Sequence, residues 1–440
     1  MKKILIITPY FSPENAIAAV RPTKFVKYLA QEGYEVTVLS RIPEIQTIDT
    51  LLQADERYAK KIYRVQNGKS FIRLYEFIYR RPFACQTKNL VETSHSDHQS
   101  LSGVFVLLKR LFAKRLYKYT FLLENYDFYR QARKWLKTTQ PFDVVFSTYG
   151  PFSSHLIGLF LKKKGKAKRW IADFRDQVIF WDEKNFLFRM YSQRYENRIT
   201  RNADVITAVS QGVLETLPSS ACRVVLPNGF DPAERSVLQN SKSKKRNNKL
   251  SFLYAGTLYQ GKSDLSLLFK ILHELSEANQ LDLQDIELHY AGSNIEILLE
   301  QAAMFHLESL IVDHGFVSRE ESLQLQRSCS ILLLASWNTY GNFGVVTGKF
   351  LEYMMMEKPI IALISGDVPQ SRIKEMIRDS RIGVCCEEAA LLQDYPFVKE
   401  TLLSMYREFK ETRTITLNPD RDYIERFNYK NITRDLITLL

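Results

Sequence analysis

Cysteine is scarce in this 440-residue chain, and the little there is carries no pattern. Cys85, Cys222, Cys329, Cys385 and Cys386 include no Cys-x-x-Cys pair and are odd in number. That argues against a zinc site or a disulfide framework and points to a reducing compartment. Long apolar runs are absent too. No stretch of about 18 apolar residues occurs, so no transmembrane helix is expected. The opening MKKILIITPYF has an apolar run too short for a signal peptide and no small-residue cleavage site; it reads as a buried first strand. No aromatic-basic interleaving or recognised motif supports nucleic acid as a partner. Asp420-Arg421-Asp422 has the form Asp-x-Asp. It follows Pro419 and precedes the last helix, so Asp420 or Asp422 reads as a cap or first-turn acid, and no metal is expected.

What is present fits a globular α/β protein. Hydrophobic residues make up 45% of the chain and charged residues 25%, which is ordinary for a globular protein. The formal net charge of +12 leaves anionic substrates or anionic lipid as partners. Residues 3–8 form a β-like run, Pro22 to Glu32 have helical spacing, Gly33 stops that helix, and YEVTVLS is the next strand. Further strands follow at 143–147, 170–172 and 203–210, with a helix over 155–164. His155 reads as a capping-region residue of that helix.

Near 232–249 the composition turns polar and basic without periodicity, and then the β-α alternation restarts. Two such arrays predict two doubly wound Rossmann-like domains facing across a cleft. The first spans 1–230, a basic linker 231–249 and the second 250–420, with the helix over 421–440 packing back on the first.

The stretch VVTGKFLEYMMMEKPIIAL, 345–363, reads as a turn, a helix start and a buried strand. Thr347 and Gly348 leave backbone N–H groups free where the helix begins, which makes an anion seat. Lys349 adds a full charge there, and Glu352 lies one turn further in. A nucleoside diphosphate with its ribose hydroxyls suits that pattern. An ordinary amphipathic helix before a strand has the same pattern.

Five segments, in order, resemble the retaining GT-B glycosyltransferases, of the kind that build bacterial cell-surface polysaccharide. They are PYFSPENAIAAVRPTKFVKYLAQEGYEVTVLS, WIADFRDQ, VLPNGFDP, YAGTLYQGK and GKFLEYMMMEKPII. The resemblance covers nearly the whole chain and is weakest over 42–140. It implies a GT-B fold and transfer of a hexose from a UDP- or GDP-linked donor, with no cofactor. The acceptor it implies is polyprenyl-linked or saccharide. The resemblance also implies a front-face route, in which the departing diphosphate helps deprotonate the acceptor, and such a route needs no obvious nucleophile.

The same resemblance puts Gly256, Thr257 and Lys262 at the donor diphosphate, with Phe316 and Val317 flanking the nucleobase. Thr347, Gly348, Lys349 and Glu352 complete the donor site. Lys262, Asp173, Arg175 and Asp176 fall at the reaction centre, the last three also readable as a structural Asp–Arg pair in a loop. Arg21 and Asn15 fall near a donor or acceptor phosphate, and Arg21 also reads as a helix-start salt bridge. Three positions depart from the family: Gly344 stands where a first Glu often precedes Glu352 by eight, Thr257 replaces an Arg, and Ala16 to Ala19 replace a Gly pair.

Residues 101–119 place Leu101, Val104, Phe105, Leu108, Leu111, Phe112, Leu116 and Tyr119 on one helical stripe. Lys109, Arg110, Lys114, Arg115 and Lys118 accompany it, Arg115 at the apolar edge. This reads as an interfacial helix on an anionic membrane, or as a helix packed on the first domain. The expectation is a cytoplasmic glycosyltransferase peripherally bound to the inner face of the membrane. Two alternatives are a non-catalytic GT-B partner that activates another enzyme and a nucleotide-sugar epimerase.

Overall fold

The computed structural model describes residues 1–43, 48–66, 126–149, 152–177, 186–218, 222–235, 248–340 and 346–440. The helix expected over 101–119, with Lys109, Arg110, Phe112, Lys114, Arg115 and Lys118, lies outside them, as does Gly344. Thirteen strands are described. β1 (Lys3–Ile7), β2 (Glu35–Arg41), β3 (Lys61–Val65), β4 (Phe142–Thr148), β5 (Ala167–Phe174), β6 (Val205–Ala208) and β7 (Arg223–Val225) form one sheet in the order β3-β2-β1-β4-β5-β6-β7. β8 (Leu250–Ala255), β9 (Ile286–Ala291), β10 (Ile311–Asp313), β11 (Ile331–Trp337), β12 (Ile360–Ser365) and β13 (Gly383–Glu387) form the other, β10-β9-β8-β11-β12-β13. Every pairing is parallel. Parallel strands are covered on both faces, which is why central strands such as ILLLASW and IIALIS are apolar nearly throughout.

The first helix, Ile17–Gln31, starts one turn earlier than the sequence predicts and carries Pro22 inside it. Proline has no N–H, so the Ala18 carbonyl one turn back lacks its helical donor. Arg175 Nη1 donates to that carbonyl at 2.8 Å, and the helix continues through the proline. Sequence reading placed Pro22 at the helix start, where its missing N–H costs nothing.

The chain returns to the first domain at its end. Phe230 N donates to Phe427 O and Tyr429 N to Phe230 O, both at 2.9 Å. A Cβ on Gly229 would lie 2.4 Å from the Phe427 oxygen, which explains the glycine of VLPNGFDP. The helix Tyr429–Ile437 then packs on the first helix. Tyr429, Ile432 and Leu436 are buried in one cluster with Phe25 and Leu29, and the Phe25 and Tyr429 rings meet edge-on at 6.0 Å. Burying side chains of this size contributes about 1.5–3 kcal/mol each.

Candidate active site

On the first domain, two of the charged residues expected at the reaction centre, Asp173 and Arg175, are held by other groups of the protein. Asp173, the penultimate residue of β5, is buried. Its Oδ1 accepts from Arg21 Nη2 and Thr207 Oγ1, each at 2.8 Å, and its Oδ2 from Thr148 Oγ1 at 2.9 Å and Arg21 Nε at 3.1 Å. Burial alone would raise the Asp173 pKa, but Arg21 and the two hydroxyls outweigh it and hold the carboxyl below its usual value. Arg21 also donates to the carbonyls of Pro227, at 2.6 Å, and Leu226, at 2.9 Å. The Arg21 donors are thus divided between Asp173 in β5 and the 226–228 segment that leads out of the domain.

Arg175 spans the Ala18 and Tyr149 carbonyls. Asp176 is exposed just beyond β5, and Asn15 is half-buried in the loop before the first helix. His155 does not cap its helix. It is buried against Phe174, its Nδ1 is 2.8 Å from Ser147 Oγ, and burial pulls its pKa down to about 3, so the ring is neutral.

On the second domain the structure brings Gly256 against Lys349 at the helix start that Thr347 and Gly348 form. β8 ends at Ala255, and Gly256 turns with φ +126°. A Cβ there would lie 2.8 Å from Lys349 Nζ, so glycine is needed both for the turn and for the amine. The helix Gly348–Met356 starts with Thr347 as its N-cap, Oγ1 accepting from Phe350 N. The Gly348 and Lys349 amides lie in the first turn and have no acceptor inside the helix. A Cβ on Gly348 would be 3.4 Å from the Ile17 side chain, so this helix start faces the start of the first helix.

Lys349 Nζ sits 3.7 Å from the Tyr254 ring centre, and Lys262 Nζ 5.0 Å from that of Trp337. Neither amine has a hydrogen-bond or ion-pair partner among the described residues. Burial pulls the Lys349 pKa down to about 7, against a smaller opposing pull from Glu352. Thr257 Oγ1 is 3.1 Å from Ser293 Oγ. Phe316 is 68% exposed, with Val317 half-buried beside it, in the loop between β10 and the helix Arg319–Ser328. Glu352 is not free: Arg319 and Gln326 both donate to it.

Sequence reasoning missed the charges between the domains. Lys24 Nζ is buried, 2.8 Å from Asp55, 2.6 Å from Asp231 and 3.0 Å from Glu234. Burial works against its charge, but the three carboxylates prevail and raise its pKa. Lys27 Nζ and the Tyr28 hydroxyl also bond Asp231. The segment expected as a solvated basic linker from 231 thus begins with two buried acids. Asp420 caps the helix Arg421–Glu425 by accepting from Tyr423 N at 2.9 Å, as its sequence context predicts. A separate open cavity of about 590 Å³ is lined by Thr339, Tyr340, Gly366, Asp367, Glu388 and Ala389, beyond β11 and β12. None of the expected donor residues lines it.

Comparison with known proteins follows this geometry. Residues 89–234 match Glycosyltransferase Family 4, and residues 249–394 match Glycosyl transferases group 1. A search of curated sequences returns no match. Sucrose-phosphate synthase from Thermosynechococcus elongatus superposes with a TM-score of 0.59 at 13% identity, over 100% of this chain and 98% of that one. α,α-Trehalose 6-phosphate synthase from Burkholderia multivorans gives 0.58 at 10% identity, over 100% and 98%. A lipopolysaccharide outer core galactosyltransferase gives 0.53 at 17% identity, over the whole of both chains. At these identities the likeness shows the fold. With two parallel sheets and both domain families in the expected order, the chain belongs to the GT-B glycosyltransferases.

Proposed function

We propose that this glycosyltransferase takes its sugar from a UDP- or GDP-linked donor bound at the start of the Gly348–Met356 helix. One observation carries the reading: among the described residues neither Lys349, at the helix start, nor Lys262, over Trp337, has a carboxylate partner, and a glycine keeps the backbone clear of the Lys349 amine. As the glycosidic bond breaks, negative charge grows on the leaving diphosphate. The Gly348 and Lys349 amides and the two amines meet that charge with fixed donors. Glu352 accepts from the ribose hydroxyls, and the exposed Phe316 offers a face to the nucleobase. Transfer proceeds with retention to a polyprenyl-linked or saccharide acceptor, in cell-surface polysaccharide synthesis.

The net charge of +12 and the basic amphipathic pattern of 101–119 support work at an anionic membrane surface on the cytoplasmic side. Among the described residues no helix is long and apolar enough to cross a membrane. The test is turnover of a panel of UDP- and GDP-sugars with polyprenyl-phosphate and saccharide acceptors, with the product anomer read by NMR. Transfer from one donor with its anomeric configuration kept is the expected result. Inversion, or no transfer from any donor, would overturn the reading.

A further inference from the structure

Glu352 is the half-buried, most accessible end of a chain of alternating charges. Arg319 opens the helix that follows the Phe316–Val317 loop. Its Nη2 donates to Glu352 Oε1 at 3.1 Å and its Nε to the same oxygen at 3.3 Å, while Gln326 Nε2 donates to Oε2 at 3.4 Å. The rest of the guanidinium is forked on Glu234, with Nη1–Oε1 and Nη2–Oε2 both at 2.9 Å. Asp49 Oδ2 lies 3.6 Å from Nη1. Glu234 is held in turn by Lys24 from the first helix, at 3.0 Å. Side-chain exposure is 1% for Lys24, 4% for Glu234 and 11% for Arg319, then 25% for Glu352. The series is dry at the N-terminal domain and opens to a ligand only at its last member.

A carboxylate has about four acceptor sites. Arg319 and Gln326 occupy part of that capacity and fix the plane of the group, and the accessible remainder suits the two hydroxyls of a ribose. An unrestrained glutamate would have to be ordered by the ligand itself. We propose that Arg319 is a positioning residue for the donor ribose. One edge of its guanidinium orients Glu352, and the other ties that orientation to Glu234 and Lys24, so ribose recognition senses the placement of the N-terminal domain. This rests on the donor reading above.

The experiment is calorimetric titration of the full chain with UDP and GDP and with their 2′- and 3′-deoxyribose counterparts, alongside thermal melting. Wild type should prefer the ribonucleotide by about tenfold, the loss of roughly one hydrogen bond to a charged group. Glu352→Gln should erase the preference. Arg319→Gln should erase it as well, and the double variant should lose no more than either single one. Arg319→Lys keeps the charge but not the fork, so it should melt near wild type with a reduced preference. Glu234→Gln should reduce the preference from the far end of the chain.

If Arg319→Gln melts lower yet keeps the full ribose preference, Arg319 only braces the fold and the proposal fails. If Arg319→Gln does not fold, a wild-type preference in Arg319→Lys sinks it equally. Wild-type binding without any ribose preference would remove Glu352 and Arg319 from recognition and leave the diphosphate seat standing. No binding of either nucleotide would overturn both.

Discussion

Two groups of charge, one on each domain, are built in opposite ways. On the first domain Arg21, Asp173, Lys24 and Asp231 are dry, and each has its counter-charge in place. On the second domain Lys349 and Lys262 rest on aromatic rings, with no carboxylate partner among the described residues. Both clusters sit near strand ends, where ligands of doubly wound sheets bind. Position in the fold therefore does not separate a binding group from a brace. What separates them is whether the protein supplies the partner itself. A buried pair broken on one side strands a charge, whereas a cation kept without a partner is available to an anion from solution.

The comparison breaks most visibly at Asp173. Asp173→Asn leaves the Arg21 guanidinium buried without its charge, and should cost about 3–5 kcal/mol in chemical denaturation. A loss of activity with unchanged stability would instead place Asp173 at the reaction centre.

On the second domain the effects should fall on chemistry. Lys262→Ala should lower kcat/KM for transfer by about a hundredfold, because its charge is worth most as the diphosphate departs. Nucleoside monophosphate affinity and melting should hardly move. Equal losses for monophosphate and diphosphate ligands would contradict that placement.

Lys349 sharpens the contrast through pH. Its amine has a pKa of about 7 in the free protein, below the ordinary 10.5, because burial favours the neutral form. On the donor reading proposed above, the charged form meets the diphosphate. Below pH 7 the amine is already charged; above it, binding must also take up a proton. Affinity for UDP or GDP should therefore fall about tenfold per unit as pH rises from 7 to 9. A flat calorimetric profile across that range would show that the amine does not meet the phosphates.

The smallest effect belongs to Asp420. Asp420→Ala removes one cap bond and should cost about 1 kcal/mol on thermal unfolding. Donor affinity should not change.

The two β-α-β arrays were legible because parallel strands read as continuous apolar runs and their helices as periodic ones, and β1, β2 and β4 begin within a residue of where the pattern puts them. β7, three residues long, and β13, with its adjacent cysteines, give no such run. The helix start of the proposed anion seat was legible because Thr347, Gly348 and Lys349 are sequence neighbours. Arg319 was not. Ser318-Arg319-Glu320-Glu321 forms a capping box, and within that motif an arginine reads as a helix-surface charge. Its partners come from 49, 234 and 352, and no local pattern joins them. Asp173 was visible but ambiguous, since three charges after a buried strand look the same whether they face a substrate or one another.

The claim that the second domain holds the donor at its unpartnered lysines is tested most directly by titrating UDP and GDP into wild type and Lys349→Ala at pH 6.5. Wild type should bind one of the two, and the variant should bind it about tenfold to a hundredfold more weakly. The variant should melt no lower, since the cation removed had no carboxylate partner. Equal affinity in the two proteins, or a variant that loses stability while binding as wild type does, would contradict the account.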